Sequence, residues 1–179
     1  MRVSRVFCAC LISIAAAAVM SRAAAAHITL EFEEAAPNSS YKAVLRVPHG
    51  CEGAATTAVR VQIPEGLIVA KPMPKPGWEV TLTEGDYARS YDYFGTAVTK
   101  GVKEIAWSGG SLPDNFYDEF IFRVRVTDLA VGTKVYLPVI QECGTTAERW
   151  IEIPEVGKSE DDYEYPAPGF AIVYMKAAE

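Results

Sequence analysis

Short runs in which apolar and polar residues alternate recur along this chain, and they constrain its fold more than any other feature. HITLEFEE alternates Ile28, Leu30 and Phe32 with polar residues, and YKAVLRVP alternates until it stops at Pro48. The series continues with TTAVRVQIPEG, GWEVTLTE, KEIAWSGG, DEFIFRVRVTD, TKVYLPVIQE, ERWIEIPE and FAIVYM. Because successive side chains of a strand point to opposite faces, each run predicts a half-buried strand. Without a helical period, about eight or nine strands predict an all-β, two-sheet antiparallel sandwich with Greek-key connections.

The start of the chain has the three-part layout of a secretory signal peptide. Arg2 and Arg5 precede a mostly apolar run at residues 6–20, and the small residues 24–26 suit a peptidase that cuts before His27. The alanine run also allows a slightly earlier cut. We therefore expect a signal peptide at residues 1–26 and a single domain at residues 27–179, periplasmic or secreted. No second apolar run approaches the ~20 residues of a membrane helix.

Removing this leader makes the chain more acidic. Arg2, Arg5 and Arg22 leave with it, so 17 basic residues become 14 against 23 acidic ones, and the formal net charge falls from -6 to -9. Such a charge argues against nucleic acid or an anionic membrane surface as a partner and suits cations.

Two cysteines remain after cleavage, Cys51 and Cys143. In an oxidising compartment they most simply form one disulfide, worth roughly 4 kcal/mol in the chain-entropy model. A thiolate metal site is the alternative, which the lack of CxxC spacing disfavours.

The sequence contains none of the common catalytic motifs. It has no GxSxG, phosphate loop, HExxH, CxxC or dinucleotide fingerprint. Only His27 and His49 could serve a Ser-His-Asp arrangement, and no serine is marked out by its context. The pair Glu33 and Glu34 would point to opposite faces of a strand. We therefore do not expect an enzyme.

Two segments have both a structural and a functional interpretation. GDYARSYDYFGTAVTKG, residues 85–101, is predicted to be a tyrosine-rich loop that covers one end of the sandwich. KPMPKPGWEV places Met73 among prolines, where it could be a soft ligand for Cu(I). We favour a proline-stiffened corner in which Trp78 closes the end of the sandwich.

Cleavage before His27 would create a chelate. A free α-amino group has an unperturbed pKa of about 7.7 to 8.0 and an imidazole one of about 6.5, so both lose a proton to a metal at little cost near neutral pH. The amine nitrogen and Nδ1 of one N-terminal histidine can occupy adjacent positions of a square-planar Cu(II) site. The uncleaved precursor cannot form it.

Several motifs in order extend this interpretation to the rest of the chain. His27 before a strand, VPHGCEG, TTAVRVQIPEG, the PKPGW corner, WSGG, and PVIQEC followed by RWIEIP together resemble the YcnI-like family of exported bacterial copper-binding proteins, also described as a domain of unknown function, DUF1775. The resemblance covers nearly all of residues 27–179. It implies an immunoglobulin-like or cupredoxin-like β-sandwich and a role in copper homeostasis, delivery or resistance. A partner would be another periplasmic copper chaperone or a membrane copper transporter.

The resemblance also implies a ligand set. In the family, Cu(II) is held in a monohistidine brace made of the amine and imidazole of the N-terminal histidine, a glutamate and a nearby tryptophan. Here His27 would be the brace and Trp150 the adjacent tryptophan. The acid falls in the interval HGCEGAA, where Glu52 is the only carboxylate. His49 in the same interval could instead make a two-histidine brace, and acids elsewhere such as Glu142 or Glu148 stay open. A Cys51–Cys143 bond would preorganise this loop.

The orientation of Trp150 is less plain. RWIEI puts Trp150 and Glu152 on one face and Arg149, Ile151 and Ile153 on the other. The second row is more apolar, which predicts that Trp150 faces away from the core, where by resemblance its indole would shield an axial position of the copper.

Two other functions remain open. A copper-dependent oxygenase or redox enzyme could use the same brace, although no flat aromatic surface for a polymer is evident. A metal-free module could recognise an envelope component through the sandwich and its tyrosine loop.

Overall fold

The computed structural model describes residues 27–174, and the predicted signal peptide at residues 1–26 lies outside the described residues. Twelve strands and one short 3₁₀ turn, Glu160–Asp162, make up this part of the chain. The strands are β1 (Thr29–Leu30), β2 (Glu34–Ala35), β3 (Ser40–Val47), β4 (Thr56–Gln62), β5 (Leu67–Pro72), β6 (Glu79–Tyr93), β7 (Thr96–Leu112), β8 (Asp118–Val126), β9 (Lys134–Tyr136), β10 (Val139–Cys143), β11 (Thr146–Trp150) and β12 (Gly169–Ile172).

Two antiparallel sheets form the body of the sandwich. One has the strand order β1-β3-β8-β5 and the other the order β11-β10-β4-β7-β6. A small third sheet, β2-β12-β9, includes a parallel pairing of β2 with β12. The chain passes from one main sheet to the other between β3 and β4, β4 and β5, β5 and β6, and again between β7 and β8. The predicted all-β sandwich is confirmed, and the small third sheet is an addition to it.

The alternation read from the sequence is what fills the core between the sheets. Alternate residues of β8, from Phe120 to Val126, are at most 1% exposed. Across the sandwich the ring of Trp107 on β7 lies 5.6 Å from that of Phe120, measured between centroids. Burial of such apolar faces supplies most of the driving force for folding. The rest of the inward set comes from the other strands: Tyr41, Ala43, Leu45, Val47, Val59, Val61, Leu67, Ile105, Val139 and Phe170.

The loop predicted at residues 85–101 is instead part of a long hairpin. β6 and β7 pair as far as Tyr93 opposite Thr96, with irregularities of register along the way. Tyr87 and Tyr91 pack against Ile68 of the other sheet in a small cluster of their own. The prediction of a loop was wrong because bulges absorb the irregular residues of this segment, and the buried tyrosines hold its strands in place.

The PKPGW corner closes the sandwich as predicted. The indole of Trp78 stands edge-on to Phe120, with centroids 4.9 Å apart. Gly110 lies beneath it, where a Cβ would be only 2.1 Å from the indole, so any other residue would displace the indole. Met73 is 51% exposed. Its proposed role as a metal ligand stays a prediction.

The predicted disulfide is present. Cys51 and Cys143, 92 residues apart, are bonded and join the loop before β4 to the end of β10. No helix within residues 27–174 is long and apolar enough to span a bilayer.

Candidate metal centre

His27 lies at the entrance to the first strand, at one end of the sandwich. β1 pairs with β3 through Thr29 opposite Arg46. Continuing this antiparallel register brings His27 beside Pro48, the residue before His49. Its half-buried imidazole lies 5.7 Å from the indole of Trp150, centroid to centroid, at an interplanar angle of 59°. The structure therefore brings together the two residues that the sequence predicted to be neighbours.

Trp150 faces into the protein, so the predicted outward orientation was wrong. It is 2% exposed, whereas Ile151 and Ile153, which the alternation placed inside, are 38% and 56% exposed. β11 ends at Trp150, so the apolar count over the following residues described a segment outside the sheet. The Nε1–H of Trp150 donates a 3.1 Å hydrogen bond to Oε1 of Gln141.

Gln141 on β10 links this tryptophan to the loop that carries the candidate ligands. It is fully buried. Its Nε2 donates to the carbonyl oxygen of His49 and to Oγ1 of Thr56, at 2.7 Å each. Because a buried polar group is costly unless satisfied, this network fixes both the indole and the backbone at His49. The sequence analysis missed Gln141; its one signal is a polar residue on the inward row between Val139 and Cys143.

Glu52 occupies the tip of a tight turn. Cys51 and Ala54 exchange two backbone hydrogen bonds of 3.0 and 2.8 Å. Between them Glu52 and Gly53 have φ values of 48° and 88°, the positive pair that a two-residue type I′ turn requires. The disulfide holds one end of this turn against β10. Glu52 is exposed, and a stapled turn positions it.

The backbone between Pro48 and the disulfide is held by an acid from a distant loop. The N–H of Gly50 donates a 3.0 Å hydrogen bond to Oδ1 of Asp114. Nδ1 of His49 is in hydrogen-bond contact with the carbonyl oxygen of Gly50. His49 is thus oriented within its own loop, near the candidate centre.

Glu148 is the acid whose environment is most unusual. It lies two residues before Trp150 on β11, so both side chains are on the same face of the strand. Its Oε2 is buried and has no hydrogen-bond partner within residues 27–174. Burial raises the pKa of Glu148; the charge of His49 opposes this, and the carboxylates of Glu52 and Asp114 add to it. These influences place Glu148, His49, Glu52 and Asp114 in one electrostatic neighbourhood.

Glu142, the other acid held open, points away from this neighbourhood. Its carboxylate pairs with Arg60 on the outer face of the five-stranded sheet at 3.4 Å. On β10 it alternates with the buried Gln141 and Cys143.

The candidate ligands suit a histidine brace better than a metal site built from side chains alone. Within residues 27–174, no group of three His, Cys, Asp or Glu side chains could by itself hold a metal ion. A histidine brace needs fewer side chains, because an α-amine supplies one nitrogen. In this chain the nitrogen of His27 is joined to Ala26 and becomes an amine only on cleavage. The half-buried imidazole of His27, beside the buried indole of Trp150, would supply one side-chain nitrogen to such a brace.

Comparison with known proteins agrees with the fold. The family model described as a domain of unknown function, DUF1775, matches residues 27–172. No curated protein matches the chain. Among solved structures, an uncharacterised protein from Nocardia farcinica with an immunoglobulin-like fold is similar, with a TM-score of 0.61 and 24% identity. The alignment covers 82% of this chain and 98% of that one. At this identity the similarity establishes the fold alone.

Proposed function

The chain belongs to the DUF1775 family, and on that premise we propose that it is an exported copper-binding protein. Cleavage before His27 gives it a free amine, and the amine and imidazole of His27 hold Cu(II) with one carboxylate. The protein then serves copper homeostasis, delivery or resistance in the periplasm or outside the cell.

One observation carries this proposal: the imidazole of His27 stands 5.7 Å from the buried indole of Trp150. His27 is the first residue after the predicted leader, and the indole is held by Gln141 in a network that also holds the His49 loop. The preformed surroundings support a site that is completed when the amine is released.

Two carboxylates are candidates for the remaining ligand. Glu52 sits on the stapled turn, and Glu148 has a buried oxygen without a partner. A cation beside them would relieve the mutual repulsion of the two acids. We propose that Glu52 is the ligand. The negative charge of Glu148 would stabilise the bound copper electrostatically without contacting it.

Export is supported by the disulfide. The chain has a Cys51–Cys143 disulfide. Disulfides persist in oxidising compartments and are rare in the cytosol. The leader pattern at residues 1–26 points the same way, and cleavage there is what the metal chemistry requires.

Titration of the mature protein with Cu(II) tests the role of His27. The wild type is expected to bind about one Cu(II) per chain, with nitrogen couplings in its electron paramagnetic resonance spectrum. His27→Ala should abolish this binding. His49→Ala is the matched control, because it removes the only other imidazole and should leave the amine and His27 ring in place. Unchanged binding by His27→Ala would refute the proposal, and loss in both variants would indicate a two-histidine brace.

The acid is identified by a second comparison. Glu52→Gln should weaken Cu(II) affinity and alter the resonance parameters, whereas Glu148→Gln should weaken affinity with the parameters little changed. The reverse pattern would make Glu148 the ligand. Reductant-dependent peroxide production that His27→Ala abolishes would favour a copper redox enzyme instead.

A further inference from the structure

Four basic side chains lie together on the outer face of the four-stranded sheet, at the far end of β3 from His27. We call them the cationic strip: Lys42 on β3, Lys71 on β5, and Arg123 and Arg125 on β8. Arg123 is directly opposite Lys42 on one side and Lys71 on the other. Like charges placed directly across neighbouring strands destabilise a sheet.

No ion pair within residues 27–174 involves any member of the cationic strip. Arg123 donates a 2.9 Å hydrogen bond to Oγ of Ser40, and the guanidinium of Arg125 lies 5.1 Å from the ring centroid of Phe94. Other basic residues, such as Arg60 and Lys103, do pair with acids. In a chain with 23 acidic residues against 17 basic ones, this absence of ion pairs at the strip within residues 27–174 requires an explanation.

A cavity of about 140 Å³ opens between the strip and the tip of the β6–β7 hairpin. Its lining includes Ser40, Lys71, Tyr93, Phe94, Arg123 and Arg125. The volume admits a small polyatomic anion, and the donors on its wall are those that bind oxyanions.

The hairpin tip presents an aromatic side chain at a backbone cost. Phe94 and Gly95 form the turn between Tyr93 and Thr96, with φ values of 51° and 82°. Asn or Gly is preferred at the first of these positions, and a bulky residue there is strained. Burial of the Phe94 side chain does not offset this backbone strain, since the residue is 78% exposed. Phe94 is thus an exposed residue in a strained conformation that lines a cavity with three cations, Lys71, Arg123 and Arg125, which is the pattern of a ligand contact.

We infer that the cationic strip and the hairpin tip form a binding site for a phosphate group, with Phe94 against the group that carries it. A phosphate monoester bears close to two negative charges near neutral pH, so it offsets several cations better than a carboxylate does. The net acidity of the chain does not prevent this, because charges more than about 10 Å away are largely screened at 0.1 M salt. The site lies roughly 20 to 25 Å along β3 from His27 and is independent of copper. A lipid headgroup and a soluble phosphate ester present the same chemistry.

The test uses metal-free protein comprising residues 27–179 in the presence of a chelator. Soluble binding is measured by nuclear magnetic resonance titration with glycerol phosphate, and headgroup binding by co-sedimentation with vesicles that contain phosphatidic acid, a lipid whose headgroup is a phosphate monoester, with phosphatidylcholine vesicles as the neutral comparison. Arg123→Gln/Arg125→Gln should weaken binding about tenfold or more. The matched control is Arg149→Gln/Lys158→Gln, which removes the same charge elsewhere and should bind like the wild type.

Phe94→Asn separates the aromatic contact from the charges. It keeps all four cations and relaxes the turn, so it should fold at least as stably as the wild type and bind more weakly. Shifts of strip residues with glycerol phosphate would support a soluble source, and sedimentation with anionic vesicles alone would support a headgroup. No binding of either probe, or equal losses in the two double variants, would overturn the inference. Cu(II) titration of Arg123→Gln/Arg125→Gln should be unchanged, so this result stands apart from the copper proposal.

Discussion

Trp150 illustrates how one side chain can serve both packing and function. Its indole is buried among core residues and stands against the ring of Tyr165, yet it also contacts Gln141 and His27 of the candidate centre. The indole N–H of a buried tryptophan can be satisfied by any nearby backbone carbonyl. Here the partner is a buried glutamine that also holds the His49 loop. Stability and site geometry therefore depend on the same hydrogen bond.

Trp150→Phe should destabilise the protein by about 1 to 3 kcal/mol, because it leaves a cavity and an unsatisfied Oε1 on Gln141. Urea denaturation gives the free energy of unfolding. Trp107→Phe is the matched control: Trp107 is equally buried, but its Nε1 makes only a 3.4 Å contact, to the carbonyl of Met73. If Trp150→Phe lowers the free energy of unfolding no more than Trp107→Phe does, the hydrogen bond to Gln141 does not contribute to stability.

At the scale of elements, the long β6–β7 hairpin is attached to the rest of the sandwich through Glu65. Partial burial tends to raise the pKa of Glu65, but hydrogen bonds from Lys103, Tyr91 and the backbone of Ala88 outweigh it and lower the pKa below its usual value. Tyr91 donates at 2.7 Å and Lys103 at 2.5 Å. The contact fixes the hairpin whose tip carries Phe94.

Glu65→Gln should therefore reduce stability at pH 7, by about 1 kcal/mol or less for so exposed a pair. A lowered pKa in the folded state contributes stability that is present above the unfolded pKa, near 4.3, and is lost as pH falls through the folded value. The difference from the wild type should thus shrink towards pH 3 in urea denaturation. Glu84→Gln, on the same hairpin, is the control, because the exposed side chain of Glu84 makes no hydrogen bond or ion pair within residues 27–174. A pH-independent difference would contradict this account.

The same elements show how far the sequence alone could lead. Alternation predicted the strands correctly because burial of one face imposes a period of two. It failed at residues 85–101 and at Trp150, where bulges and a strand end break that period. His27, Glu52, Trp150 and the cysteine pair could be named from motifs. Gln141 and the strip around Arg123 could not, since cross-strand neighbours are set by register and topology.

At the scale of the whole molecule, the sandwich keeps two distinct ends. His27, the stapled Glu52 turn and Trp150 gather at one end of β3, and the cationic strip lies at the other. The body between them is rigid by virtue of its core and disulfide. The proposed copper site and the proposed phosphate site therefore lie at opposite ends of β3 and share no residue.

Blocking the α-amine of His27 gives the sharpest test of the proposed brace. Protein shown by mass spectrometry to begin at His27 is compared with the same protein acetylated on that α-amine, both titrated with Cu(II) and followed by electron paramagnetic resonance. The brace predicts that acetylation removes the amine ligand, weakens affinity by about tenfold or more and changes the spectrum. Equal affinity and an identical spectrum for the two proteins would contradict it.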